Sequence, residues 1–326
     1  MSARQLDEDD VRVKRGTSTR PRSKQRPSHA DSQPAVVTTV DRGRITCAPL
    51  ADPSARITAV KARELGRKSV AVGDHVALVG DLSGRPDTLA RLVRIDPRTT
   101  SLRRTADDSD PYERIIVANA DQMGIVVALA DPPARVGLID RCLVAAYDAG
   151  VEPLLILTKA DLASPDELLA LYRALDVPAI QTQRGTDTTD LAALLADRTT
   201  VLVGHSGVGK STLVNALVPD ADRSIGLVNS VTGRGRHTST SVLALALPKG
   251  GWIVDTPGIR SFGLAHVDRD RVIAAFSDLA EGTATCPRNC SHDEPGCGLD
   301  SWVQAGNASP ERLDSLRRIL GAMTAQ

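Results

Sequence analysis

Two short motifs stand in an order that few chains can fold around. TKAD occupies Thr158–Asp161, and GHSGVGKS follows at 204–211. The second fits GxxxxGK[ST] in full, between a strand-like run (RTTVLV) and a helix-like run (TLVNALV), the context in which such a loop cradles phosphates. Its glycines let backbone N–H groups converge on an anion, and the start of the following helix adds positive potential. TKAD ends an apolar run, LLILTKAD, where an aspartate can accept two hydrogen bonds from the N1–H and N2–H₂ of guanine. A Thr-rich stretch, GRGRHTST at 233–240, and DTPG at 255–258 come next. In an ordinary guanine-nucleotide domain the phosphate loop comes first and the base-reading motif near the end. Here all the parts are present in rotated order. A rotation joins the old termini and opens the chain elsewhere, which folds tolerate because domain termini often lie close together.

Each motif assigns roles to particular residues. Lys210 is placed to hold the β- and γ-phosphates and Ser211 to ligate Mg²⁺, with Gly204, His205, Ser206, Gly207, Val208, Gly209 and Thr212 completing the cradle. Asp161 reads guanine, Lys159 lays its stem over the base plane, and Thr158 and Ala160 complete that loop. The usual first residue there is Asn. Thr158 in its place predicts a weaker link to the phosphate loop, by one hydrogen bond's net worth of roughly 1 kcal/mol. A companion base-supporting loop is expected near Thr182–Gln183. Asp255 ends an apolar strand and can hold the metal through water, and Gly258 can offer its N–H to the γ-phosphate. Thr238 or Thr240 can reach Mg²⁺ when that phosphate is present, giving a pair of switch segments. Ras-type enzymes carry a water-orienting Gln after the DTxG motif; this chain has Ile259, which predicts slow intrinsic turnover. His237, beside Thr238, is the candidate hydrolytic group in cis, an ordinary exposed loop histidine being the alternative.

The 326 residues suffice for two or three domains, and aromatics make up only 2%, so the cores must be aliphatic. Net charge is zero, but residues 1–104 hold 21 Lys/Arg against 12 Asp/Glu. That surplus of nine at the front suggests a surface facing nucleic acid. Residues 1–34 lack periodicity, and VRVKRGTSTRPRSKQRP carries seven basic residues and no acid, the composition of a disordered basic arm. Residues 35–104 give short β-type runs (AVVTTV, RITCA, SVAVGDHVALVG, TLARLVRI) parted by Gly, Pro and Asp, and predict a small all-β barrel. That segment has no Phe, Tyr or Trp. That disfavours base stacking as its means of binding RNA and favours phosphate and shape recognition. No apolar run is long enough to span a bilayer and the charged N-terminus has no signal-peptide core, so a cytoplasmic protein is expected.

Beyond the barrel, strand and helix signals alternate, which predicts a largely parallel sheet covered by helices. ERIIVANADQMGIVVALA predicts paired buried strands, VGLIDRCLVAAYDAG an amphipathic helix, and GGWIVDTPG another strand. SPDELLALYRAL predicts a helix with Ser164 as its N-cap and Pro165 at its first position. From Arg271 onward the chain reads helix, cysteine knot, final helix. Cys286-x3-Cys290-x-His292-x4-Cys297 offers three thiolates and an imidazole, a set that zinc takes tetrahedrally in structural sites. Cys47 and Cys142 sit in apolar contexts and are read as plain core residues.

These residues, with VGDHV, IDPRTTSLRR, ANADQ and LIDRCLV, resemble the ribosome small-subunit-dependent GTPase A family, also called RsgA or YjeQ, over roughly 35–326. The resemblance implies an OB-fold at 35–104, a circularly permuted GTPase domain at 105–270 and a helical zinc-binding domain at 271–326, behind the basic arm at 1–34. It further implies a monomer that acts in the cytoplasm late in maturation of the 30S subunit, binds 16S rRNA, and hydrolyses GTP under stimulation by that subunit. Mg²⁺ would accompany GTP, and one Zn²⁺ would be structural. The chain departs from the family pattern at Thr158, at a poor second base loop, and in a knot one residue shorter in both outer gaps. The competing reading is an RNA-binding zinc protein that uses GTP only as a structural ligand. A metabolic phosphate-loop kinase is disfavoured by TKAD, DTPG and the Thr-rich stretch together. Because DTPG shortly precedes the knot, movement of that loop could pass to whatever the zinc domain touches.

Overall fold

The computed structural model describes residues 29, 31–41, 43–66, 69–104, 114–219, 221, 242–256, 264 and 266–323. From Ser32 onward they form one unit, and of the unit preceding it only His29 and Asp31 are described. Strands β1 (Gln33–Asp41), β2 (Arg44–Pro49), β3 (Ile57–Lys61), β4 (His75–Gly80) and β5 (Ala90–Ile95) close into a barrel in the order β1-β2-β3-β5-β4. Val37, Cys47, Ala59, Leu78 and Leu92 fill it, all completely buried. Small and aliphatic side chains suffice because a five-stranded barrel has a narrow interior. Bulges in β1 between Val37 and Thr39, and in the β4–β5 pairing between Ala77 and Leu78, supply the bends that closure needs. β3 is a strand that the sequence reading passed over; its ITAVK run is short and flanked by Arg and Lys.

A hairpin of β6 (Ser101–Arg104) and β7 (Arg114–Ala118) comes next. The expected pairing of two strands within ERIIVANADQMGIVVALA does not occur. β7 pairs with β6, while β8 (Gln122–Ala128) enters the main sheet, because Asn119 between them takes a left-handed turn (φ 54°). The main sheet also holds β9 (Glu152–Thr158), β10 (Ala179–Gln181), β11 (Thr199–Val203), β12 (Leu243–Ala246) and β13 (Trp252–Asp255). Its order is β10-β9-β8-β11-β13-β12, parallel throughout except for β12 against β13. β8 is buried along its whole length, as an unbroken apolar run in a parallel sheet should be. Alternate residues serve two cores: Ile125 and Val127 face α1 (Val136–Ala149), while Val126 and Ala128 join Leu213 and Val214 of α4 (Lys210–Leu217).

α1 buries Ile139, Cys142, Leu143 and Ala146 at helical spacing and stops at Gly150, whose left-handed φ of 66° closes the last turn. α2 (Asp166–Tyr172) begins one residue later than the sequence suggested: Pro165, in helical conformation, takes the N-cap position instead of Ser164, whose hydroxyl still accepts the Asp166 N–H at 3.2 Å. α3 (Thr189–Leu195) buries Leu191 and Leu195. The C-terminal part comprises α5 (Arg269–Ala274), α6 (Ser277–Ala280), α7 (Gly298–Gln304) and α8 (Pro310–Ala322). Ser309 caps α8 by accepting the Arg312 N–H at 3.2 Å. Leu316 and Ile319 of α8 belong to the same core as α1 and the sheet. A buried polar link joins them: Arg318 lies 3.2 Å from Asp140 of α1, and the Tyr172 hydroxyl donates to the same carboxylate at 3.0 Å. Burial pushes the Asp140 carboxyl up, and Arg318 works against that shift. Cys47 and Cys142 are buried core thiols, both pushed up to about 12 by desolvation.

Candidate functional site

TKAD leaves the end of β9, the phosphate loop leaves β11, and Asp255 ends β13. β8 lies between β9 and β11, and β13 flanks β11 on the other side, so these three segments meet at the carboxyl edge of the parallel strands. That edge is where open α/β sheets bind ligands. Rotation of the chain leaves this arrangement intact, because neighbours in a sheet need not be neighbours in sequence.

The loop is shaped by its glycines. Gly204 has φ 152°, and a Cβ there would stand 2.4 Å from the Val126 carbonyl oxygen of β8; Gly209 has φ 96°. α4 begins at Lys210, so its first-turn N–H groups, Ser211 and Thr212 among them, lack intrahelical partners and open onto the loop. The Lys210 ammonium donates to the Gly204 carbonyl and, at 3.1 Å, to that of His205. Burial pushes Lys210 down and Asp255 up, each partly offset by the other. Two desolvated groups of opposite charge at the mouth of an anion cradle suit a metal–triphosphate, which would give each a charged partner.

The base-reading loop is tied directly to the phosphate loop. The buried Thr158 hydroxyl donates to the Val208 carbonyl at 2.6 Å. Thr158, in place of the usual Asn, thus makes its own side-chain link between the two loops. The Lys159 ammonium donates to the Asp131 carbonyl, and Asp161 is exposed at the edge. Ala160 N–H reaches the Thr182 carbonyl at 3.2 Å, and Thr182 N–H the Leu157 carbonyl at 2.7 Å, which brings Thr182–Gln183 beside TKAD. Thr256, not singled out in the sequence, is wholly buried and donates to the Leu202 carbonyl of β11 at 2.6 Å. Its place inside DTPG was the available signal. His237, Thr238, Thr240, Gly258 and Ile259 lie outside the described residues.

Cys286, Cys290, His292 and Cys297 bring their four ligand atoms within 4.8 Å of one another. Sγ of Cys286 is 3.8 Å from Sγ of Cys297 and 3.6 Å from Nδ1 of His292, and Cys297 is 3.8 Å from that nitrogen. Tetrahedral zinc with Zn–S of about 2.3 Å separates its ligands by about 3.8 Å, so the donor set fits the ion. Left-handed backbone at Asn289 (φ 58°), His292 (φ 66°) and Gly296 (φ 84°) closes the shortened loops. Arg317 of α8 donates to the His292 carbonyl at 2.7 Å and to Asp300 at 2.9 Å, docking the knot on the last helix.

Residues 95–265 match the family model described as RsgA GTPase. The small ribosomal subunit biogenesis GTPase RsgA of Pseudomonas syringae pv. tomato is 40% identical over 265 residues, spanning 78% of this chain and 75% of the relative. The protein of the same name from Pseudomonas fluorescens SBW25 is 42% identical over 238 residues, 70% of this chain and 68% of the relative. Among solved structures, YjeQ from Thermotoga maritima superposes with a TM-score of 0.64 at 24% identity, covering 90% of this chain and 99% of that one. YloQ, described as a circularly permuted GTPase, gives 0.64 at 23% identity, covering 92% and 98%.

Proposed function

This chain belongs to the RsgA GTPase family and is a GTP hydrolase, and from that premise we propose that it acts on the small ribosomal subunit during late maturation. The observation that carries the nucleotide reading is the Thr158–Val208 hydrogen bond, which joins a guanine-reading loop to a phosphate loop across a rotated chain order. Asp161 reads the base, the N–H groups of 204–212 receive the phosphates, and Lys210 turns from its own carbonyls to the β- and γ-oxygens. Ser211 and Asp255 hold Mg²⁺, the second through water; the ion supplies charge neutralisation on those oxygens. Thr238 or Thr240, Gly258 and His237 complete the hydrolytic side. Ile259 leaves the water-orienting part to His237 or to the partner.

By segment, 1–34 is a basic arm, 35–104 the RNA-facing barrel, 105–270 the GTPase and 271–326 the zinc domain, with Cys286, Cys290, His292 and Cys297 on one structural Zn²⁺. The barrel segment's surplus of basic residues, thirteen Lys/Arg against seven Asp/Glu, draws it to the phosphates of 16S rRNA. Among the described residues no helix is long and apolar enough to cross a membrane, and we place the monomer in the cytoplasm with the ribosome. Co-sedimentation with 30S subunits, run with a non-hydrolysable GTP analogue and with GDP at two salt concentrations, tests this reading. Nucleotide-dependent, salt-sensitive binding supports it. Equal failure to bind in both nucleotide states defeats it.

A further inference from the structure

VGDHV, IDPRTT and ANADQ take no part in the nucleotide site, yet they meet at one place. Asp74, on the turn into β4, is completely buried and grips Arg98 at two points, Nε to Oδ1 at 2.6 Å and Nη2 to Oδ2 at 2.8 Å. The same carboxylate accepts the Ala71 N–H at 2.8 Å, and Arg98 also donates to the Ser69 carbonyl at 2.9 Å. Facing them, Asn119 donates Nδ2–H to the Gly73 carbonyl at 2.9 Å and accepts the Thr99 N–H at 2.9 Å. The Ala118 N–H reaches the Val72 carbonyl at 2.8 Å, and Val72 pairs with Val117 in a parallel bridge. Contact is so close that a Cβ on Gly73 would stand 2.1 Å from the Ala118 oxygen.

Two residues past Asn119 the path reaches the nucleotide sheet. The Asp121 carboxylate accepts the Thr199 N–H at 2.7 Å, and its own N–H donates to the Thr199 carbonyl at 2.9 Å. Thr199 opens β11, and at about 3.3 Å per residue the phosphate-loop Gly204 lies about 16 Å further along. Barrel, joint and phosphate loop are thus linked by buried or paired polar groups and one short strand, and satisfied networks of this kind rigidify what they join.

We propose that Asn119 and Asp121 are positioning residues that lock the barrel and the β11 strand into one rigid body, so that the orientation RNA imposes on the barrel is delivered to the phosphate loop. The delivery half rests on the small-subunit reading above; the rigidity half does not. Asn119→Asp is the discriminating variant. Aspartate tolerates the left-handed turn and keeps an acceptor for the Thr99 N–H, but it sets an oxygen against the Gly73 carbonyl. Asn119→Gly, which keeps the turn and deletes the side chain, serves should the first variant fail to fold.

The test has two arms on the full chain. Residual dipolar couplings measured for barrel and sheet should fit one alignment tensor in the wild type and two in the variant. In the second arm, GDP affinity and intrinsic hydrolysis should stay within about twofold, and 30S affinity within about threefold, while the 30S-stimulated rate falls about tenfold or more. Two tensors in the wild type overturn the joint. A wild type and a variant equally stimulated, or intrinsic and stimulated rates falling in the same proportion, overturn the delivery. Absence of stimulation in the wild type defeats the small-subunit reading, and the tensors then decide the joint by themselves.

Discussion

Replacing Thr158 by Val tests how this chain joins its two nucleotide loops. Valine keeps both γ positions, so packing survives against Gly209, where a Cβ would stand 3.8 to 3.9 Å from the Thr158 side chain. What is lost is the hydroxyl, with its 2.6 Å bond to the Val208 carbonyl and a longer 3.4 Å contact with the Val127 carbonyl, at a buried residue. A neutral bond is worth about 1 kcal/mol net, and stranding its buried acceptor costs about 1–3 kcal/mol. The Val208 carbonyl belongs to the phosphate loop, so part of that cost falls on nucleotide binding. A share of about 1.4 kcal/mol weakens GDP tenfold. Titration of a fluorescent GDP analogue, with stopped-flow dissociation, reads this directly. Thr158→Val should raise Kd about tenfold, mostly through faster release. Thr158→Ser should stay near wild type, and preference for GTP over ATP should be unchanged in both, since base reading is proposed for Asp161 and not for Thr158. A Val variant within twofold of wild type, or a Ser variant as weak as Val, would refute the linkage.

Gly204→Ala should abolish nucleotide binding and lower the melting temperature, since its Cβ would stand 2.4 Å from the Val126 carbonyl at φ 152°; calorimetry with and without GDP checks both. Asp255→Asn should stabilise the nucleotide-free protein at pH 7 while abolishing hydrolysis. Burial raises the folded carboxyl above its unfolded value, so the folded state binds the extra proton and wild-type stability falls as pH climbs from about 4 through the raised value. Melting curves of the pair should converge near pH 4 and part above it. Chelation of the zinc proposed for the knot should increase amide exchange across 286–320, because Arg317 docks the knot on α8. GDP affinity should hold within about threefold, as the nucleotide loops carry no zinc ligand.

Legibility in the sequence tracked how local the physics was. GHSGVGKS and TKAD could be read because glycines at fixed offsets and a carboxylate after a buried strand carry their chemistry in a few adjacent residues. The fold class was legible from alternating strand and helix patterns. β3, β12 and α3 were missed because four to seven residues carry too little periodicity. The partner of β7 was misread since an apolar run does not say which strand it pairs with, and Asn119, a residue type that readily takes a left-handed turn, does not by itself say that one falls there. Thr158 illustrates another limit: its residue type does not say which backbone carbonyl its hydroxyl will meet, and only the fold sets it against Val208. The joint at Asp74, Arg98 and Asn119 was invisible as a joint, because its three motifs meet only in the folded chain.

Steady-state GTP hydrolysis with and without purified 30S subunits, ATP serving as control, is the experiment that bears hardest on a small-subunit-dependent GTPase. Such an enzyme should turn over slowly when free, respond strongly to 30S, and show no comparable activity on ATP. Slow turnover unchanged by 30S, or equal use of ATP, would contradict that reading.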